Sequence, residues 1–162
     1  MSFKSKISPI LPRKIISASI SSSIFSILLG LFIPDPFDVG ISSVGEYIDD
    51  FLVAVPGYLI FSFPVILVYG TIASTISEYL ARSISNHTKK SVEFYLSFAL
   101  HIIFGLVLLW FSLLASILYF VTDYILIKKN IYKWKNALVS LWIPFLVLII
   151  FMGSISIIDI FR

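Results

Sequence analysis

The stretch FYLSFALHIIFGLVLLWFSLLASILYFVT, residues 94–122, decides the structural class of this protein. Its 29 residues include no Lys, Arg, Asp or Glu, and acidic residues stand directly before and after it, Glu93 and Asp123. A bilayer core of roughly 30 Å requires about 20 mostly apolar residues in one helix. The stretch is therefore long enough to span a membrane, and the charges lie where the hydrocarbon would end.

The whole chain shares the character of this stretch. Of its 162 residues, 59% are hydrophobic and 13% are charged, and the mean hydropathy is +1.02. Soluble domains contain about 25% charged residues, and disordered chains have low hydrophobicity, so both classes are excluded. Cysteine is absent, which excludes disulfide scaffolds, thiol catalysis and Cys-based zinc sites. The composition predicts an integral membrane protein.

Three further apolar runs are also long enough to span a membrane, at about 15–33, 51–77 and 137–158. The runs are continuous and do not alternate, which excludes a transmembrane β-barrel. We predict an all-α integral membrane bundle of four transmembrane helices in one domain over residues 1–162. Its connections are an acidic loop at 34–50 and basic loops at 78–93 and 123–136. Pro56 and Pro64 predict kinks in the second span, because proline removes a helical hydrogen bond.

The distribution of Lys and Arg predicts how the chain is oriented, because these residues stay on the cytoplasmic side in short loops. The N-terminal leader holds four of them, the first loop none and the second loop three. These counts predict a cytoplasmic N-terminus. The third loop conflicts with this orientation, because four crossings would place its four lysines outside. The alternative is a re-entrant hairpin within residues 94–122, but that stretch has no proline and only Gly105 as a break, so four crossings are the main prediction.

Small residues indicate which helix faces pack together, since helices in lipid associate through close approach and polar contacts. They recur at helical spacing on one face of each of the first three spans. These residues are Ser19, Ser23, Ser26 and Gly30, then Gly70, Ala73 and Ser77, then Ser97, Gly105 and Ser112. The fourth span has no such face, so we expect it to be the most peripheral. We expect this span and Trp110, which points away from the small-residue face, to form outward contact surfaces.

His101 lies about two turns inside the third span, on its small-residue face. An ionisable residue at this depth is a candidate functional group, and its candidate partners on the second span are Glu78 and Tyr69. Such a set could relay protons or bind a cation, because imidazole titrates near neutral pH. The preferred interpretation is structural, with a neutral His101 bonded to a serine or a carbonyl and Glu78 in water.

No motif for catalysis, phosphate binding or metal coordination occurs in the chain. The sequence therefore predicts no enzymatic activity, no catalytic residue, no metal and no cofactor. Positive charge at the membrane edges favours anionic lipid over nucleic acid. The expected partners are the lipid bilayer and either another membrane protein or a second copy of the chain.

Residues 64–78, PVILVYGTIASTISE, combine Pro64 with Tyr69-Gly70 and Ser77-Glu78. This pattern resembles one in uncharacterised small multi-span membrane proteins of Bacillus, and an isoleucine-rich, alanine-poor composition fits a Gram-positive source. The resemblance implies a plasma-membrane location and no assigned activity. Two functional hypotheses follow. The first is a regulator, immunity protein or accessory subunit that acts through helix–helix contacts, and the second is a small oligomeric transporter or channel with His101 lining the path.

Overall fold

A computed structural model describes residues 10–37, 40–85, 90–106, 110–131 and 133–161. These residues contain helices and no strand, so the predicted all-α class is confirmed for the described part of the chain. The elements are α1 (Ile10–Phe32), α2 (Val44–Val65), a π-helical turn (Ile66–Gly70), α3 (Thr71–Ser85), α4 (Lys90–Leu106), α5 (Trp110–Lys128), α6 (Trp134–Ser140) and α7 (Trp142–Phe161). Four helical segments are long and apolar enough to cross a membrane, Ile10–Phe32, Val44–Ile84, Phe111–Lys128 and Trp134–Ile158.

Helix α1 lies at the centre of the bundle and contacts α2, α5, α6 and α7. It begins five residues before the predicted span, so Arg13 and Lys14 belong to the helix and not to a leader. In its most apolar stretch 56% of the residues are buried, and serines are buried on nearly every side, not only on the predicted face. The hydroxyls of these serines donate to carbonyls of their own helix, for example Ser23 to Ser19 at 2.9 Å. This local bonding lets polar side chains pack inside an apolar bundle.

Helices α2 and α3 form one long segment. Ser43 caps its start by accepting a hydrogen bond from the backbone N–H of Glu46 at 3.1 Å, so the segment begins inside the predicted acidic loop. Pro56 and Pro64 both lie within α2, and the π-helical turn follows directly after Pro64. Proline interrupts the hydrogen-bond ladder, and a wider turn is a common adjustment to such an interruption. The 41 residues from 44 to 84 extend about 60 Å at 1.5 Å per residue.

Residues 94–122 do not form the single helix that the sequence predicts. Helices α4 and α5 run in opposite directions, with the ring of Phe94 5.1 Å from that of Tyr124 and the ring of Phe98 5.2 Å from that of Phe120. The four-crossing prediction with one continuous third span is therefore wrong, and the hairpin alternative matches the structure. Near the other end of the pair, a Cβ on Gly105 would come within 2.8 Å of the Ser116 Cβ. Glycine thus permits an approach that a larger residue would prevent.

The end of α5 determines where the third basic loop lies. Asn130 has a φ of 53°, and the N–H of Ile131 donates to the carbonyl of Leu126 at 3.1 Å, which is the pattern of a Schellman cap. Leu126 packs with Ile16 of α1 and Ala137 of α6. The loop lysines are therefore at the same end of the bundle as the start of α1.

Helix α7 is the most exposed of the long helices. In the segment that contains it, 6% of the residues of the most apolar stretch are buried, compared with 56% in α1. Its main neighbour is α2, where the ring of Phe151 meets that of Phe51 at 5.6 Å. The expectation that the last span is the most peripheral therefore agrees with its burial.

Candidate functional site: a buried ion network

Four charged side chains from three helices meet inside the bundle. They are Arg13 and Lys14 of α1, Glu78 of α3 and Asp123 of α5, and each is less than 10% exposed. The sequence analysis placed these charges at span edges, but all four lie within helices, about one to two turns from the helix ends. That interpretation is wrong because the helices extend past the apolar runs.

Both carboxylates accept several donors. Asp123 accepts from Arg13 Nε at 2.8 Å, from Lys14 Nζ at 2.7 Å and from the Ser17 hydroxyl at 3.2 Å. Glu78 accepts from Arg13, from Lys14 Nζ at 2.9 Å and, on its other oxygen, from Arg82. Charge-assisted bonds of this kind are shorter and stronger than neutral ones. Each carboxylate is thus held by both cations of α1.

Lys14 is the central residue of the network and is 1% exposed. Its ammonium group lies near three acceptors on two other helices, Glu78, Asp123 and the Ser74 hydroxyl at 2.7 Å. An ammonium group has three N–H donors, so these acceptors satisfy it completely. A buried charge is tolerated only when it is paired and hydrogen-bonded in this way.

His101 joins the network through Ser74. Its Nδ1 lies 2.8 Å from the carbonyl oxygen of Ser97, and its Nε2 lies 3.0 Å from the Ser74 hydroxyl. A carbonyl can only accept, so Nδ1 carries the proton, and the Nε2 of a neutral ring then accepts from Ser74. The result is a continuous series of hydrogen bonds from Lys14 through Ser74 and His101 to Ser97.

The three predicted site residues are therefore near one another without direct bonds among them. His101 and Glu78 connect through Ser74 and Lys14. The Tyr69 hydroxyl donates to the carbonyl of Phe104 at 2.9 Å and joins α3's preceding turn to α4. Glu78 is 9% exposed, so the expectation that it simply meets water is wrong.

Tyr119 anchors the start of α1 from below the network. Its hydroxyl donates to the backbone carbonyl of Lys14 at 2.9 Å and lies 3.4 Å from the Thr71 hydroxyl. The side chain is 2% exposed. This bond ties the backbone beside the ion network to α5.

Two cavities adjoin these residues. One of about 60 Å³ lies beside His101, Tyr69 and Tyr119 and has almost entirely apolar walls. The other, of about 240 Å³, opens between α3, α4 and α5 and is lined by Glu78 and Asp123 among other residues. We call the larger one the α3–α5 cavity. No cluster of His, Cys, Asp and Glu suited to a metal ion occurs within the described ranges.

The residues predicted to mark packing faces lie at helix contacts or close to the site. Ser19, Ser23, Ser26, Gly30, Ala73, Ser77 and Gly105 are buried, and Gly70, Ser97 and Ser112 are partly exposed. A Cβ on Gly30 would come within 2.5 Å of Val55 Cγ2, and Ser112 donates to the carbonyl of Gly105. The Trp110 side chain lies outside the described part of the structure.

Sequence reasoning missed Arg13, Lys14, Ser74 and Asp123. The four-crossing topology would place Asp123 at the opposite membrane face from Lys14, so their pairing was not considered. A signal was present, since α1 and the hairpin both contribute charged residues close to apolar runs. Only the antiparallel packing of α4 and α5 brings these residues to one end.

Comparisons with protein-family models, with curated proteins and with solved structures find no match to this chain. Function is therefore inferred from the arrangement of the residues alone.

Proposed function

We propose that this chain is a multi-pass protein of the plasma membrane that acts through helix–helix contacts with a membrane partner. It would serve as a regulator, immunity protein or accessory subunit. The observation that carries this proposal is the contrast between α1 and α7. The interior is closed by a fully bonded ion network, whereas α7 contributes little to the core and leaves most of its surface for lipid or another protein.

The outer surface of α7 supports contact with another helix. Its exposed side chains are large and apolar, including Ile149 at 64% and Met152 at 55% exposure. Next to them, a Cβ on Gly153 would meet no atom within 4 Å. A glycine beside bulky side chains leaves a notch into which a second helix can pack closely.

The proposed orientation puts the N-terminus in the cytoplasm. All eight Lys and Arg residues in the described ranges lie at the end where α1 begins, among them Arg82 and Lys128. The opposite end carries Asp35, Glu46, Asp49 and Asp50. Lys and Arg concentrate on the cytoplasmic side, and the hairpin of α4 and α5 removes the conflict with the third loop. The C-terminus then lies outside.

Labelling of single cysteines tests this orientation, because the natural chain has no cysteine. Lys129→Cys should react with a membrane-impermeant maleimide only after cells are permeabilised, whereas Phe37→Cys should react in intact cells. Labelling of Lys129→Cys in intact cells would contradict the orientation.

In-membrane photo-crosslinking tests the interaction. A crosslinker at Ile149 or Met152 should capture one discrete protein, and a tagged second copy identifies a homo-oligomer by mass. The matched control is Phe61 on α2, which is 78% exposed. Equal capture from Phe61, or none from α7, would contradict the proposal.

The bonded series Lys14–Ser74–His101 favours a second candidate, a small oligomeric transporter or channel with His101 beside the path. This series runs from the α3–α5 cavity to the smaller cavity. Reconstituted liposomes would then show ion or proton flux that His101→Ala abolishes. Flux that is absent from the natural chain would eliminate this candidate.

A further inference from the structure

The α3–α5 cavity combines an aromatic wall with a charged interior. Phe94, Phe120 and Tyr124 form one side, and Glu78, Arg82 and Asp123 also line it. We propose that this cavity binds the anionic phosphate head group of a phospholipid. The inference rests on the membrane location proposed above and adds a ligand that the interaction role does not require.

The charge balance favours an anion in spite of the two carboxylates. Every carboxylate oxygen of Glu78 and Asp123 accepts from at least one cation of the network. Together with Arg82, three cations face two carboxylates, so the connected group carries one net positive charge. Arg82 is the cation that lines the cavity, and its side chain is 50% exposed. Guanidinium groups match phosphate oxygens in both charge and geometry.

The cavity lies at the depth where phospholipid phosphates occur. Tyr124 lines it, and the Nζ of Lys128 stands 4.8 Å above the Tyr124 ring. Trp134, at the start of α6, is 48% exposed at the same end of the bundle. Trp, Tyr and Lys side chains concentrate at the head-group level. Basic pockets between helices on the cytoplasmic side are known to suit anionic head groups.

The volume fits a head group better than a complete lipid. At about 240 Å³ the cavity is slightly below the roughly 300–1,000 Å³ of drug-sized sites. The acyl chains would lie outside it, along exposed apolar side chains of α4 and α5 such as Ile103, Val121 and Ile125. One phosphate and two chains would thus use one contiguous surface.

Native mass spectrometry of the full chain in detergent tests the site. The natural protein and its variants are delipidated, and phosphatidylglycerol or phosphatidylcholine is added back. Arg82→Gln should weaken phosphatidylglycerol retention about five-fold, which is the effect of one basic residue worth about 1 kcal/mol near a lipid surface. Arg82→Lys should keep most of the retention because it keeps the charge.

Two further variants separate the cavity from general electrostatics and from misfolding. Lys133→Gln removes one charge at the same end, on an exposed residue outside the cavity, and should leave retention unchanged. Ser97→Leu fills the cavity from α4 without changing any charge and should lower retention. Each variant is compared by circular dichroism and thermal unfolding.

The outcomes are distinct. Selective loss in Arg82→Gln and Ser97→Leu supports the site. Equal retention of both lipids by the natural chain, or equal loss in Lys133→Gln, overturns it. Saturable binding of inorganic phosphate that phosphatidylglycerol does not displace overturns the lipid as the occupant. A chain that alkaline carbonate extracts from membranes contradicts the proposed membrane location instead.

Discussion

The Nε of Arg13 donates to Oδ1 of Asp123 across 2.8 Å, although 110 residues separate the two in sequence. This bond requires α5 to end where α1 begins. That requirement is met only because α4 and α5 are antiparallel, so the bond and the hairpin test each other. The following predictions address the network, the hairpin, the helix contacts and the link to His101.

Asp123→Asn should lower the free energy of unfolding by about 3–5 kcal/mol, because it leaves Arg13 and Lys14 buried beside a reduced negative charge. Unfolding of purified protein in mixed detergent micelles measures the change. Asp50→Asn, at the opposite end of the bundle, is the matched control and should change stability by less than about 0.5 kcal/mol. Equal effects of the two substitutions would show that Asp123 is not part of a buried network.

Phe94→Cys combined with Tyr124→Cys should form a disulfide under mild oxidation, because the two rings are 5.1 Å apart. In one continuous helix the same residues would be about 45 Å apart at 1.5 Å per residue. A shift in gel mobility that a reductant reverses detects the bond. Phe94→Cys with Phe111→Cys is the control pair and should not crosslink. Failure of the first pair at full cysteine accessibility would contradict the hairpin.

Gly105→Ala should destabilise the fold by about 1–3 kcal/mol, the usual cost of overpacking, because the added methyl group would come within 2.8 Å of the Ser116 Cβ. Gly153→Ala is the opposite case, with no atom within 4 Å. There the higher helix propensity of alanine should stabilise the protein by up to about 1 kcal/mol. The two midpoints of thermal unfolding should therefore move in opposite directions, and a shift in the same direction would contradict the contact.

Ser74→Ala and His101→Leu should each lower stability by about 1–3 kcal/mol, since each leaves buried partners without a hydrogen bond. Because they break one shared bond, the double variant should lose less than the sum of the two. A double-mutant cycle on unfolding free energies measures the difference. Additive losses would show that Ser74 and His101 are not coupled. Stability unaffected by His101→Leu would eliminate both the structural and the functional interpretation of this residue.

The helical class and the approximate extent of the helices could be predicted from the sequence. Long runs without charge, such as residues 15–33, allow only helices of membrane-spanning length. The low burial of α7 was likewise predictable, because its sequence has no small-residue face. Helix ends were less accurate, since hydrophobicity does not mark them. Ser43 begins α2 well before the apolar run starts, because a cap depends on local hydrogen bonding.

The site depended on information that the sequence does not contain. His101 was identified from its depth in an apolar run, which is a property of composition along the chain. The partners of His101 are set by which helices return to the same end, and an apolar stretch of 29 residues is compatible with either one long helix or two short ones. Tertiary packing at Gly105 and Ser116 selected two helices. It thereby brought Asp123 to Arg13 and Lys14, because only paired charges can be buried together inside the bundle.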